Sequence, residues 1–155
     1  MSFHVRRGIA VFAALVACCA SSLSSPAFGA IGVRGAMTTT EQITAHFETF
    51  FSGKTSAKQK VALLQNGSEF ARVIDAQASS SLALSTTAKV AKIEDLTKKS
   101  ATVIYTIDLS GQAAVKDAKG NVVFQDGTWK VGDAAFCFLL VTLEQLKTPG
   151  CSSSK

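Results

Sequence analysis

The sequence predicts one α+β domain, in which three N-terminal helices pack on a curved antiparallel sheet of about four strands and a short C-terminal helix follows. Three patterns lead to this fold class. Apolar residues first recur at helical spacing, the spacing then changes to the alternation of half-buried strands, and Asp126-Gly127 marks a tight hairpin. A twisted sheet of this kind curls around its helices. We therefore expect a cone whose apolar interior is either a filled core or a pocket.

The first helix is predicted from its cap and from its apolar spacing. Thr38 or Thr39 stands at capping-box distance from an acid or amide, and apolar residues then recur from Ile43 to Phe51. Gly53 is a suitable end for this helix. These features together predict an amphipathic helix at the start of the domain.

Two further helices are expected before the sheet. Thr55 or Ser56 can cap the second helix, which should stop at Asn66-Gly67. The third helix begins at Ser68 and is broken by the serine-rich stretch 79–81. Beyond that stretch the helical spacing is lost, so the helical part of the domain should end there.

Strand-type alternation starts near Val90 and is clearest from Val103 to Leu109. Ser110-Gly111 is predicted to be a turn, and Lys119-Gly120-Asn121 is predicted to be a stronger one. These turn signals divide the second half of the chain into short antiparallel strands.

The last strand pair and the C-terminal helix follow from local signals. Asp126-Gly127 should join Val122–Gln125 to Thr128–Val131 as an antiparallel hairpin. An apolar block from Ala134 to Leu146 is then expected to form the last helix, with Asp133 as its N-cap.

The first thirty residues have the composition of a cleavable export signal. Arg6 and Arg7 precede an uncharged apolar run from Gly8 to Ala20, and the serine-rich segment that follows is too polar for a membrane span. We assign residues 1–29 to a signal peptide, 30–37 to a linker, 38–148 to the α+β domain and 149–155 to a C-terminal tail.

Two cleavage chemistries fit this signal. Small residues before Phe28 and before Ala30 suit an ordinary signal peptidase, which would release a secreted protein. Leu15-Val16-Ala17-Cys18 instead resembles a bacterial lipobox, which would place a lipid on Cys18 and anchor the protein to a membrane. Both alternatives predict export to the cell envelope or the extracellular space.

Cys137 and Cys151 are the cysteines that remain after ordinary signal cleavage. In an exported protein an even number of cysteines favours a disulfide, here across a loop of about fifteen residues. The alternative is a buried Cys137 with a loose Cys151. No CxxC pattern or neighbouring histidine accompanies them, so the sequence predicts no metal site.

The charge of the mature chain is mild. Of 16 basic residues, Arg6 and Arg7 belong to the signal, which leaves 14 basic against 11 acidic residues. The lysines are scattered without interleaved exposed aromatic residues, so nucleic acid is not an expected partner. Contact with a membrane is expected only if Cys18 is lipidated.

Several segments resemble a known family. Asp126-Gly127-Thr128-Trp129-Lys130-Val131, with Ala135-Phe136-Cys137 and Leu139-Leu140 after it, is similar to the end of small exported actinobacterial domains with a nuclear-transport-factor-2-like fold. Thr40-Glu41-Gln42-Ile43 and the segment from Lys60 to Gly67 resemble the low-molecular-weight secreted antigen family. The similarity extends over roughly residues 38 to 146. It implies a cone-shaped α+β domain, export, no enzyme activity and no defined catalytic residues.

Few residues are candidates for chemistry, and none forms a catalytic set. His46 borders the apolar face of the first helix, where a boundary histidine is a better interpretation than a catalytic base. Asp108 should face solvent if its alternating neighbours face the helices. Tyr105, Trp129 and Phe51 are weak candidates for lining a ligand pocket, and core packing is the simpler interpretation of each.

The favoured hypothesis is an exported, antigen-like protein without catalytic activity or cofactor that binds an apolar small molecule or a neighbouring envelope protein. One alternative is a lipid-anchored accessory protein of an envelope lipid-transport system, which Cys18 would attach. A second alternative is a small isomerase-like enzyme, which would need a buried histidine or carboxylate in a polar-tipped cavity.

Overall fold

The computed structural model describes residues 36–143, Gln145 and Cys151. The signal peptide with Cys18, most of the linker and most of the C-terminal tail lie outside these residues. The elements are α1 (Thr39–Phe51), α2 (Ala57–Leu63), α3 (Gly67–Gln77), α4 (Ser81–Ser85), β1 (Thr86–Glu94), β2 (Ser100–Leu109), β3 (Gln112–Gln125), β4 (Thr128–Val131) and α5 (Asp133–Leu143). This order confirms the predicted α+β class.

The predicted capping box begins α1. The Thr38 hydroxyl accepts a hydrogen bond from the Glu41 backbone N–H, and the Glu41 carboxylate accepts one from the Thr38 N–H at 2.7 Å. These bonds favour the charged carboxylate and lower the pKa of Glu41. The side chains of Ile43, Phe47 and Phe50 on this helix are buried in the core, as the apolar spacing predicts.

Among residues 36–143, four helices precede the sheet, where three were expected. The serine-rich stretch does end α3, but it also starts the five-residue helix α4. The Ser80 hydroxyl accepts a hydrogen bond from the Ala83 N–H at 3.1 Å, which is an N-cap contact. The same serines therefore end one helix and begin the next.

The four strands form one antiparallel, curled sheet in the order β1-β2-β3-β4. Ser110 and Gly111 have φ values of 52° and 81°, and Asp126 and Gly127 have φ values of 54° and 77°. Positive φ at both central residues is the requirement of the hairpin turn that matches strand twist. The predicted hairpin is confirmed, with Val122 opposite Val131 and Gln125 opposite Thr128.

The predicted turn at Lys119-Gly120-Asn121 was wrong, because these residues lie inside the long strand β3. Gly120 is opposite Val103 of β2. A Cβ at position 120 would lie 3.0 Å from Tyr105 Cε1 and 3.0 Å from Ala135 Cβ. This glycine therefore allows a close approach of β3 to two side chains and does not reverse the chain.

The core lies between the helices and the inner face of the sheet. Along β2 the buried residues alternate, from Ala101 through Val103 and Tyr105 to Ile107, as predicted for a half-buried strand. The C-terminal helix was expected from Ala134 to Leu146, and α5 is described from Asp133 to Leu143. Within the described residues no helix is long and apolar enough to cross a membrane.

Candidate functional site

Aromatic side chains occupy the space between α1 and the sheet. Phe47 and Tyr105 are fully buried, and their ring centroids are 4.8 Å apart. Phe51 stacks on Tyr105 with centroids 6.1 Å apart, and Phe50 meets Phe136 of α5 edge to face at 5.6 Å. These contacts hold α1, β2 and α5 together around one aromatic cluster.

The hydroxyl of Tyr105 is the one polar feature of this cluster. It is buried and has no hydrogen-bond partner among the described residues. Burial disfavours the phenolate and raises the pKa of Tyr105 to about 12. Tyr105 therefore remains neutral at physiological pH, and it contributes mainly as a core aromatic.

We expect Tyr105→Phe to leave the free energy of unfolding unchanged or to raise it by about 1 kcal/mol, because the variant removes an unsatisfied buried hydroxyl. Burial also predicts a loss of wild-type stability as pH rises from about 10 to about 12, because only the unfolded state ionises in that window. Tyr105 is the single tyrosine of the sequence, so tyrosinate absorbance reports its titration directly. A wild-type midpoint near pH 10 in the folded protein, or a large loss of stability in the variant, would contradict this.

A small apolar cleft opens between α1, α4 and α5. It has a volume of about 70 Å³. The polar residues in its lining are Lys60 and Thr86, and the apolar ones are Phe50, Phe51, Leu82, Phe136, Leu139, Leu140 and Leu143. We call this site the apolar cleft. Its shape and lining are suited to part of an alkyl chain rather than to a polar substrate.

Of the three ligand-binding candidates from the sequence, Phe51 and Trp129 line different cavities and Tyr105 is fully buried. Phe51 lines the apolar cleft, and its ring stacks on Tyr105 in the core. Trp129 lines a separate surface groove of about 490 Å³ at one end of the sheet, beside Phe124. The sequence named these residues as weak candidates, but it could not show which surface each of them lines or that Tyr105 lies inside the core.

Sequence reasoning missed the leucines of the apolar cleft. Leu82 was not identified as a candidate, because the segment that forms the short helix α4 was interpreted as a serine-rich break between elements. The leucines of α5 looked like an ordinary core stripe, although α5 is apolar on nearly every side, and Phe138 and Val141 are exposed. An all-round apolar helix near a chain end is the signal that could have indicated a surface as well as a core.

Within the described residues, His46 and Asp108 are not hydrogen-bonded to each other. His46 Nδ1 donates a hydrogen bond to the Trp129 carbonyl at 2.8 Å, which ties α1 to β4. Within residues 36–143 no carboxylate is hydrogen-bonded to His46. Asp108 is half-buried in β2 and alternates with the core residues of that strand. His46 thus lies at the boundary position that the sequence favours, whereas Asp108 was expected to face solvent and is half-buried.

The fold and the site can be compared with known families. A family model described as low molecular weight antigen MTB12, C-terminal domain, matches residues 36–148. The chain belongs to this family. The match confirms the resemblance to the low-molecular-weight antigens, and it suggests a small secreted or envelope protein. No curated protein and no solved structure shows a significant match to this chain.

In this member of the MTB12 family a disulfide joins the domain to residues beyond the matched range. Cys137 of α5 and Cys151 are bonded, with their Cα atoms 5.2 Å apart. Cys137 is buried and Cys151 is half-buried against the core. The sequence-based disulfide is thus present, and it fixes position 151 beside the helix that supplies Leu139 and Leu140 to the apolar cleft.

Proposed function

We propose that this protein is an exported, non-catalytic member of the MTB12 family that binds an apolar ligand in the apolar cleft. The observation that carries the proposal is the lining, in which seven of nine residues are apolar. Leu139 and Leu140 are buried by the fold, while Leu82 and Leu143 are partly exposed at the cleft. An apolar molecule would cover the remaining accessible surface of these leucines.

The size of the cleft suggests which part of a ligand it takes. A volume of about 70 Å³ is far below the roughly 300–1,000 Å³ of pockets that enclose a drug-sized molecule. We therefore propose that the cleft holds the end of an alkyl chain while the rest of the ligand stays at the surface. A fatty acid or the acyl tail of an envelope lipid has this chemistry.

The proposal of a non-catalytic role goes with an interior that is apolar in the described residues. Among the described residues, the buried set contains no charged side chain, and Tyr105 contributes its only side-chain oxygen without a partner. Acid–base catalysis needs a titratable group within hydrogen-bond reach of a substrate. The isomerase-like alternative has no such observation in its favour.

The proposal is tested by comparing two leucines of the same short helix. Leu82 lines the apolar cleft, whereas Leu84 is 58% exposed and is not part of the lining. We expect Leu82→Gln to weaken the binding of laurate, measured by isothermal titration calorimetry, by about tenfold, which corresponds to about 1.4 kcal/mol. Leu84→Gln should bind laurate like the wild type.

Two results would contradict the proposal. The first is a wild-type protein that does not bind laurate and carries no co-purifying lipid in native mass spectrometry of material from its own host. The second is equal binding by the two leucine variants, which would place the ligand elsewhere. The same mass measurement under denaturing conditions distinguishes a chain that starts at Phe28 or Ala30 from one that starts at an acylated Cys18.

The lipid-anchored alternative remains a proposal that concerns Cys18, outside the described residues. It predicts the same apolar cleft on a protein held at a membrane. An acylated Cys18 would favour an accessory role in envelope lipid transport over free secretion.

A further inference from the structure

A second surface, at the opposite end of β1 from α4, combines exposed apolar side chains with lysines. It is the groove formed by the start of α1, the loop between β1 and β2, and the β3–β4 hairpin. Its lining consists of Thr39, Leu96, Thr97, Lys98, Phe124 and Trp129. We call it the hairpin-end groove.

The backbone around the hairpin-end groove is held by hydrogen bonds. The Phe124 N–H donates to the Lys99 carbonyl at 2.8 Å, which joins β3 to the β1–β2 loop. Inside that loop the Thr97 N–H and hydroxyl both donate to the Ser100 carbonyl, at 2.8 and 2.9 Å. Phe124 and Trp129 contact each other edge to face, with centroids 5.5 Å apart. Backbone hydrogen bonds therefore hold the groove in shape, and its exposed side chains project from fixed backbone positions.

Large apolar side chains are exposed at this end. Leu96 is 45% exposed, Phe124 is 43% exposed, and Met37, two residues before Thr39, is 51% exposed. They account for half of the six large hydrophobic residues that are exposed in the described chain. Leu96 follows one strand closely, and Phe124 is next to last in another, so both lie near the tips of loops. Exposed apolar residues grouped in this way mark an interaction site more often than scattered ones do.

Two lysines of the β1–β2 loop have no acidic partner among the described residues. Lys98 and Lys99 are exposed, and neither forms an ion pair or a side-chain hydrogen bond with any described residue. Of three nearby acids, one is neutralised by a lysine, and the other two keep their charge while they accept hydrogen bonds from neutral groups. Asp126 pairs with Lys130 at 2.8 Å, Glu41 is held in the α1 cap, and Asp95 accepts a hydrogen bond from Thr102. Lys98 is the one charged residue among the described residues that line the groove, and Lys99 follows it directly, so the lining itself presents positive charge.

From this combination we infer that the hairpin-end groove docks the domain on the surface of an anionic lipid bilayer. Leu96 and Phe124 would enter the boundary between headgroups and acyl chains, while Lys98 and Lys99 would meet the lipid phosphates. Apolar side chains flanked by lysines have the chemistry of interfacial membrane binding, in which buried apolar area and attraction to anionic lipids add together. A bilayer can cover the open groove together with the exposed side chains beside it, which a single small molecule would not. This inference does not depend on the apolar cleft or on Cys18.

The test uses the protein that starts at Ala30, which carries no acyl group, and sedimentation with vesicles. The vesicles contain either phosphatidylglycerol mixed with phosphatidylcholine or phosphatidylcholine alone. We expect binding to the mixed vesicles only, and a decrease as salt is added. Lys98→Glu and Leu96→Asp should each weaken binding by about fivefold or more.

Matched controls distinguish binding through the hairpin-end groove from general electrostatic attraction between the protein and the vesicles. Lys58→Glu makes the same charge change on an exposed lysine of α2, and Leu84→Asp makes the same apolar-to-acidic change at the other end of β1. Both controls should bind vesicles like the wild type. Circular dichroism of all four variants should match that of the wild type, because each substitution is on an exposed side chain.

The inference is overturned by any of four results. These are no binding to the mixed vesicles, equal binding to phosphatidylcholine alone, unchanged binding by Lys98→Glu and Leu96→Asp, or an equal loss in the controls. Saturable binding of monomeric short-chain phosphatidylglycerol at Trp129, without vesicle binding, would instead identify a small-molecule site. Trp129 is the single tryptophan of the sequence, so tryptophan fluorescence in the folded protein comes from a residue that lines this groove.

Discussion

Replacing Phe47 with alanine is expected to lower the free energy of unfolding by about 3–5 kcal/mol. Phe47 is fully buried, and its ring lies 4.8 Å from the Tyr105 ring and 5.0 Å from the Phe51 ring. Truncation removes apolar burial and leaves a cavity that the surrounding rings fill only partly. Urea unfolding followed by Trp129 fluorescence measures the loss.

Phe138→Ala is the matched control for this prediction. Phe138 is 45% exposed on α5, so its truncation should cost less than about 1 kcal/mol. Small domains have only about 5–15 kcal/mol of stability in total. The alanine variant could therefore be unfolded in water. In that case Phe47→Leu, with an expected loss of about 1–2 kcal/mol in the free energy of unfolding, gives the measurement. Equal losses for Phe47→Ala and Phe138→Ala would show that the aromatic cluster does not dominate the core.

Features set by neighbouring residues could be predicted from the sequence. The Thr38 cap, the Asp126-Gly127 hairpin and the alternation along β2 each depend on contacts within a few positions. Their physical causes are a side-chain oxygen near free N–H groups, positive φ in a two-residue turn, and the twofold repeat of a strand. Because local chemistry determines these elements, they could be predicted from this single sequence.

Features set by distant residues could not be predicted. Gly120 has the local appearance of a turn residue, and only the approach of Tyr105 and Ala135 explains its place in a strand. The apolar cleft combines Phe51 of α1 with Leu82 of α4 and Leu143 of α5, which are far apart in the chain. No spacing rule connects such residues. The sequence could therefore name aromatic candidates but could not group them into sites.

Reducing the Cys137–Cys151 disulfide is expected to lower the free energy of unfolding by about 3 kcal/mol. The two cysteines are 14 positions apart, and a loop of about 15 residues restricts the unfolded chain by that amount in the chain-entropy model. Urea unfolding with and without a phosphine reductant measures the difference. The double variant Cys137→Ala with Cys151→Ala is the control, because the reductant should not change its stability.

The disulfide also has a consequence for the apolar cleft. Cys137 is buried on α5, and the same helix supplies Phe136, Leu139 and Leu140 to the lining. If the bond acts mainly on the unfolded chain, reduction should lower stability while laurate binding at low temperature and without urea stays unchanged. If it also holds α5 in place, binding should weaken together with stability. An unchanged urea midpoint after complete reduction, verified by thiol titration, would show that the bond does not stabilise the domain.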